Sequence, residues 1–252
     1  MSARGFMGSG DIYINRIVGG VKLGMDGPYF ANKFEIKPNV DKKQLESKGR
    51  NSRGQVIESV SVQKPAEFTL ELNEVNKESM ILALLGTEAS RTQTAGSLTA
   101  VDFVAKLGKW VPLSKQALTA AALTVTNSGA STTYVEGTDY EVNRQLGWIR
   151  ALATGSIVAD APLKVTAAYG AIAGAVISGA TNTDIRAEIV FDGINEADKL
   201  PVIVTIREAI IAADSAFDFL ADDFNTVNLP GTMKTPTGAA EPFTVELRTT
   251  LL

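Results

Sequence analysis

The chain has 252 residues, 45% of them hydrophobic and 21% charged, with a formal charge of −4. That length allows one large or two small domains with a buried core. It contains no Cys and no His, which excludes disulfides, thiol nucleophiles, thiolate or imidazole metal sites and any Ser-His or Cys-His arrangement.

The first ten residues, Met1 to Gly10, are rich in Gly and Ser and lack the apolar run of a secretory signal. Asp11 to Val18 alternates as a strand, Gly19-Gly20 turns, and Val21 to Leu23 continues the sheet. Phe34 to Lys37 reads as a short strand stopped by Pro38. Asn39 to Gln55 then has the composition of a mobile loop, with Lys42, Lys43, Lys48, Arg50 and Arg53 against Asp41 and Glu46. Two readings fit it: a solvated basic loop, or an arm that orders against a partner. Val56 to Gln63 resumes extended structure, with Val56, Val60 and Val62 on one face.

The clearest unit runs from Pro65 to Gly86. Phe68, Leu70 and Leu72 alternate with Glu67, Thr69 and Glu71, the period of a half-buried strand. Asn73 or Asn76 is placed to cap a helix containing Met80, Ile81, Leu84 and Leu85, apolar nearly all round and expected to be buried. Gly86 is expected to end it in the left-handed conformation.

Thr87 to Ala100, polar and small, reads as a linker or a curved connection and Val101 to Trp110 as a strand. From Trp110 to Tyr169 short alternating segments separated by turn residues describe a small all-β module. Between Lys164 and Asp184 there is no charge. The Ala, Gly, Thr and Ser content of this stretch is too weakly apolar for a membrane span, and it reads as a strand and a linker. Arg186 to Phe191 is a strand, and Asp192 to Asp198 a turn-rich connection. Pro201 to Ala209 is β-branched and apolar on both faces at its start, so it is expected in the middle of a sheet. Phe243 to Arg248 alternates, and the chain ends on Leu251-Leu252.

Charge is uneven along the chain. Lys33 to Lys64 holds eight Lys or Arg and four Asp or Glu (8 − 4 = +4), whereas Thr181 to Leu252 holds five against twelve (5 − 12 = −7). A basic and an acidic segment on one subunit favour head-to-tail attraction between copies.

Motifs for chemistry are sparse. The Gly clusters at residues 5–10 and 19–24 are not a G-x-G-x-x-G, and Gly108-Lys109 is followed by Trp110, so there is no P-loop. Asp222-Asp223, and Asp192 with Glu196 and Asp198, are carboxylate clusters for hydrolysis or Ca²⁺, but tight turns favour the same residues. The basic loop has no aromatic residue for stacking on bases. Trp110, Trp148 and Tyr134 read as core or hinge residues of the β module or, alternatively, as a carbohydrate platform. No cofactor, catalytic residue or metal ligand is assigned, and an enzyme is not expected.

Taken together, several segments resemble the tail tube proteins (major tail proteins) of long-tailed, non-contractile bacteriophages. These are Arg4-Gly5 with Gly10 to Arg16, Phe34 to Pro38 with its polar loop, Lys64 to Leu72 with the apolar helix, Ile189 to Asn195, Pro201 to Arg207, and Asp222 to Phe224. Gly137 to Val142 with Gly147 to Ile149 looks like a β module of phage structural proteins. The resemblance implies a mainly β fold, a sandwich or tube-forming barrel subunit with one flanking helix. Residues 1–109 and 170–252 would form the tube domain and 110–169 an inserted all-β module.

It also implies hexameric rings stacked into a tube through which DNA passes unbound, in a virion tail assembled in the host cytoplasm. Partners would be other copies, tail tip and terminator proteins, and a tape measure protein in the lumen. On this reading Lys42, Lys43, Lys48, Arg50, Arg53, Leu251 and Leu252 are candidate contacts between rings. Val56, Val60, Val62, Val202, Val204 and Ile206 are candidates for the inner barrel. The alternative is a monomeric β-sandwich that binds carbohydrate or mediates adhesion through Trp110 or Trp148.

Overall fold

The computed structural model describes residues 5–120, 123–212 and 216–249. Strands β1 (Gly8–Val18), β2 (Val21–Lys22), β3 (Asp26–Tyr29), β4 (Ala31–Glu46) and β5 (Val56–Leu72) precede helix α1 (Lys77–Ala83). β6 (Thr87–Gln93), β7 (Gly96–Val104), β8 (Trp110–Pro112), β9 (Thr124–Asn127) and β10 (Thr133–Tyr134) follow. Then come β11 (Tyr140–Asn143), β12 (Trp148–Ala151), β13 (Pro162–Tyr169) and β14 (Ile172–Ser178). The last strands are β15 (Ile185–Asn195), β16 (Leu200–Ile211), β17 (Val227–Met233) and β18 (Phe243–Leu247). The fold is mainly β, as expected, with one helix among the described residues.

The chain divides into two compact units, Met1–Glu88 with Ile177–Leu252, and Ala89–Val176. β6 and β14, which lead into and out of the second unit, pair with each other. The stretches read as linkers at 87–100 and after Tyr169 therefore hold paired strands. Small and polar residues form extended structure there because a neighbouring strand satisfies their backbone.

In the first unit one sheet runs β2-β1-β15-β16-β17-β5-β4, with β3 added to β1 and β18 to β16. β16 is central, as its apolar run predicts. One edge pairs with β15; the other pairs with β18 over Val202–Ile206 and with β17 over Ala209–Ile211. The sheet forks at that point. Ile12, Phe68, Leu70, Leu72, Ile189, Ile206 and Leu229 from its different strands meet in one core with Ile81 and Leu82 of α1. Burying each such side chain is worth about 1.5–3 kcal/mol. No barrel closes among the described residues, and β17 lies between β5 and β16, so the two sets of candidate barrel residues are not neighbours within one chain.

Of the two candidate caps, Asn73 and Asn76, the helix uses Asn76. Asn76 Oδ1 accepts from the Ser79 amide and the Asn76 amide donates to Ser79 Oγ, both at 2.9 Å. Ile81 and Leu85 are buried, while Met80 and Leu84 remain half-buried. The left-handed residue at its end is Leu85 (φ 45°), not Gly86. That conformation costs roughly 1–2 kcal/mol, offset by burial of the Leu85 side chain in the core. Gly86 serves closeness instead: a Cβ there would lie 2.7 Å from Ile177 Cγ2.

The second unit holds a four-stranded sheet, β10-β9-β13-β7, and a three-stranded sheet, β11-β12-β8. Leu98, Val125, Tyr140, Ile149, Leu163 and Val165 fill its core. Segment 110–169 lies inside this unit, and β7, which precedes that segment, pairs with β13. The Asn143–Gly147 turn joins β11 to β12, with the Gly147 amide donating to the Asn143 carbonyl at 2.9 Å.

Candidate functional site

The segment read as a strand stop followed by a mobile loop is a long hairpin. β4 continues through Pro38 to Glu46, and only residues 47–55 turn. Pro38 and Pro65 lie where the pairing skips from Lys37↔Glu67 to Asn39↔Lys64. Neither can donate a ladder hydrogen bond, and an irregularity accommodates both. Before this point β5 is buried at Ala66, Phe68, Leu70 and Leu72; beyond it Val56 to Pro65 is exposed throughout. Composition alone missed the ribbon because a two-stranded element with two wet faces has no strong apolar alternation.

Beyond the prolines the two faces differ. The pairs Asp41↔Val62, Lys43↔Val60 and Leu45↔Glu58 place Leu45, Val60 and Val62 on one face, interleaved with Asp41, Lys43 and Glu58. Their exposures are 60%, 54% and 46%. The other face carries Val40, Lys42, Gln44, Ser59, Ser61 and Gln63. A lone two-stranded ribbon is marginal in water, and this one leaves three large apolar side chains of one face exposed. β4 also ends the sheet, so its outer edge has no strand partner among the described residues.

The tip is a defined turn. The Ser47 amide donates to the Gln55 carbonyl at 2.8 Å, the Gly54 amide to the Ser47 carbonyl at 2.9 Å, and the Ser47 and Ser52 hydroxyls lie 2.6 Å apart. Lys48, Arg50 and Arg53 sit on this turn, with Lys42 and Lys43 on the adjoining strand. Among the described residues these five cations form no ion pair, whereas Lys64 pairs with Asp41 at 3.5 Å and Lys37 with Glu67 at 3.2 Å. Val56 is exposed near the turn. Val202, Val204 and Ile206 are buried on β16, and Leu251 and Leu252 lie outside the described residues.

A cleft of about 550 Å³ opens between the arms of the forked sheet, lined chiefly by Phe34, Ile36, Phe191, Val202, Val245 and Leu247. Its wall is apolar, suited to side chains or a strand rather than to acid–base chemistry. A second cleft of about 620 Å³ is charged. Its charges are matched: Lys22 pairs with Glu188 at 2.8 Å, Arg186 and Lys234 with Glu208 at 3.0 and 3.1 Å, and Arg207 with Glu241 at 2.5 Å. In the second unit, Arg150 lies 4.7 Å from the ring centroid of half-exposed Trp110 and also pairs with Glu141. Among the described residues no group of three or more Asp or Glu is arranged to hold a metal ion. No helix there is long and apolar enough to cross a membrane.

A family described as "Protein of unknown function UCP028589" matches residues 5–240. The chain belongs to this family. The matched span takes in the basic ribbon, the charged cleft and the second unit, so these features lie within the stretch shared with the family. No curated protein matches the chain.

Proposed function

We propose that the chain is a structural, self-assembling virion protein whose copies form hexameric rings stacked into the tail tube of a long-tailed, non-contractile phage. The tube is the conduit for DNA ejection. The reading draws its identity from the resemblance of the outer thirds to tail tube proteins. The observation that carries self-assembly is the β4–β5 ribbon, with Leu45, Val60 and Val62 uncovered and five cations around it that form no ion pair among the described residues. A subunit that exposes large apolar side chains on a ribbon beside an open sheet edge is completed by neighbouring copies. Strands β5 and β16 contribute to a barrel only by joining between copies in this arrangement. DNA passes through without specific binding, and tip, terminator and tape measure proteins meet the same tube.

The test is negative-stain electron microscopy beside sedimentation velocity over a concentration series. The comparison chain has residues 40–63 replaced by an Asn-Gly turn joining Asn39 to Lys64, which are opposite each other. The full chain is expected to give rings or hollow tubes, and the shortened chain a folded subunit without tubes. Normal tubes from the shortened chain would overturn the assignment.

The second reading, a carbohydrate-binding module, rests on half-exposed Trp110. Arg150 already lies against that ring, which leaves less aromatic face for a sugar. A monomer that loses glycan binding on Trp110→Ala would favour it.

A further inference from the structure

We infer that the surface receiving the basic ribbon is the segment Phe217–Phe224 of a second copy of this chain. This deepens the self-assembly reading and rests on it. The segment reads Phe-Asp-Phe-Leu-Ala-Asp-Asp-Phe, with three carboxylates and no Lys or Arg, so −3. Residues 39–64 hold six Lys or Arg and three Asp or Glu, so +3. Both stretches are apolar as well as charged. Phe219, Leu220 and Phe224 are 68%, 90% and 98% exposed, more than an isolated domain gains from showing to water.

The segment is held in place rather than hanging free. Phe217 packs against the core of the first unit and meets the Phe219 ring edge-on at 4.8 Å. The Asp218 carboxylate accepts from the Leu220 amide at 2.8 Å and the Asp223 carboxylate from the Phe224 amide at 2.7 Å. The Asn225 side-chain Nδ2 donates to the Asp218 carbonyl. Asp222 and Asp223 have no ion-pair partner among the described residues, like the five cations of the ribbon.

A second copy is the occupant because the same chain carries both halves, an apolar stripe with basic flanks and an apolar loop with acidic flanks. Opposite charges set register and rate of encounter, and burial of the Val, Leu and Phe side chains holds the contact. The donor and acceptor surfaces differ, so the contact is heterologous. Each copy that donates its ribbon leaves its own acidic segment for the next, and the contact propagates.

Two measurements test this. In the first, Lys48→Glu, Arg50→Glu and Arg53→Glu are combined in one variant, and Asp222→Lys with Asp223→Lys in another. Each alone is expected to raise the concentration needed for assembly about tenfold or more, and all five changes together to restore it. In the second, separately purified Arg50→Cys and Asp222→Cys chains are mixed and treated with a bismaleimide. The parent has no cysteine, so a covalent dimer that needs both variants reports the contact between copies even below the assembly threshold.

Assembly indifferent to the acidic reversal, or no mixed dimer, would overturn this inference. If the ribbon-shortened chain still fails to assemble in that case, the self-assembly reading survives and only the acceptor is wrong. If the ribbon-shortened chain forms normal tubes, both fail.

Discussion

Lys37 and Glu67 pair at 3.2 Å across β4 and β5, on the last regular rung before Pro38 and Pro65 interrupt the ladder. The pair divides a hairpin whose near half belongs to a core and whose far half is offered to solvent. Asn39 braces the interruption by donating from its side chain to the Pro65 carbonyl at 3.4 Å.

Acid is expected to loosen that junction. The hydrogen bond from Lys37, then that from Asn39 and the Lys37 charge, hold the Glu67 carboxyl below the usual range. A depressed carboxyl contributes stability that is present above its unfolded pKa, about 4.3, and is lost as pH falls through the lower folded value. Amide exchange around residues 64–67 should accelerate in that window. Glu67→Gln should flatten the dependence; an unchanged profile in that variant would rule the pair out as its source.

Alkali is expected to act at Tyr29. Its hydroxyl donates to Asp26 Oδ2 at 2.7 Å. Burial first, then the hydrogen bond and charge of Asp26 with Glu78 and Glu74 further off, push the phenol well above the ordinary tyrosine range. The raised group contributes stability that is fully present below the unfolded pKa, about 10, and disappears as pH rises toward the folded value. Tyr29→Phe should cost about 0.5–1.5 kcal/mol at neutral pH and move the alkaline unfolding midpoint upward. An unmoved midpoint, read by ultraviolet titration, would place the alkaline transition elsewhere.

Glu208 is buried, accepts from Arg186 Nη1 at 3.0 Å and from Lys234 Nζ at 3.1 Å, and joins β15 and β16 to the residue after β17. Glu208→Gln leaves two cations sharing one neutral acceptor. Both cations are near half-exposed, so water takes up part of the loss, and the expected cost is about 1–3 kcal/mol. Adding Arg186→Met should then cost less than it does alone, because the partner charge is gone. Denaturant melts of the four chains provide the cycle, and strict additivity would show that the groups do not interact.

Gly147→Ala should damage the second unit. Gly147 has φ 70°, and a Cβ there would lie 1.9 Å from the Lys115 carbonyl oxygen. The expected loss is about 2–4 kcal/mol, from backbone strain and displacement of the 113–118 segment. Gly129→Ala is the control, with nothing within 4 Å of the added carbon. Equal melting temperatures for the two variants would refute the clash.

Much of the fold was legible because burial writes a period into the chain. Phe68, Leu70 and Leu72 alternate and are buried; the run from Pro201 is apolar on both faces and pairs on both edges. Asn76 caps the helix, a contact made between residues three apart. The ribbon was not legible, because Lys42↔Ser61 and Gln44↔Ser59 pair through their backbones and their side chains say only that they are wet. Nor was Leu85 legible as the left-handed residue, since its strain is supported by the core around it.

The sequence by itself determined the chemistry that is absent, the strand-rich class, the apolar periods and the separation of basic from acidic segments. These are properties of residues and their near neighbours. Only the tertiary structure decided that β16 shares one edge between β17 and β18, that residues 39–46 extend a strand, and that Phe219 and Phe224 stay outside the core. Those outcomes depend on which distant backbone arrives at an edge and which apolar side chains the core has room for, and no local pattern of residues carries that information.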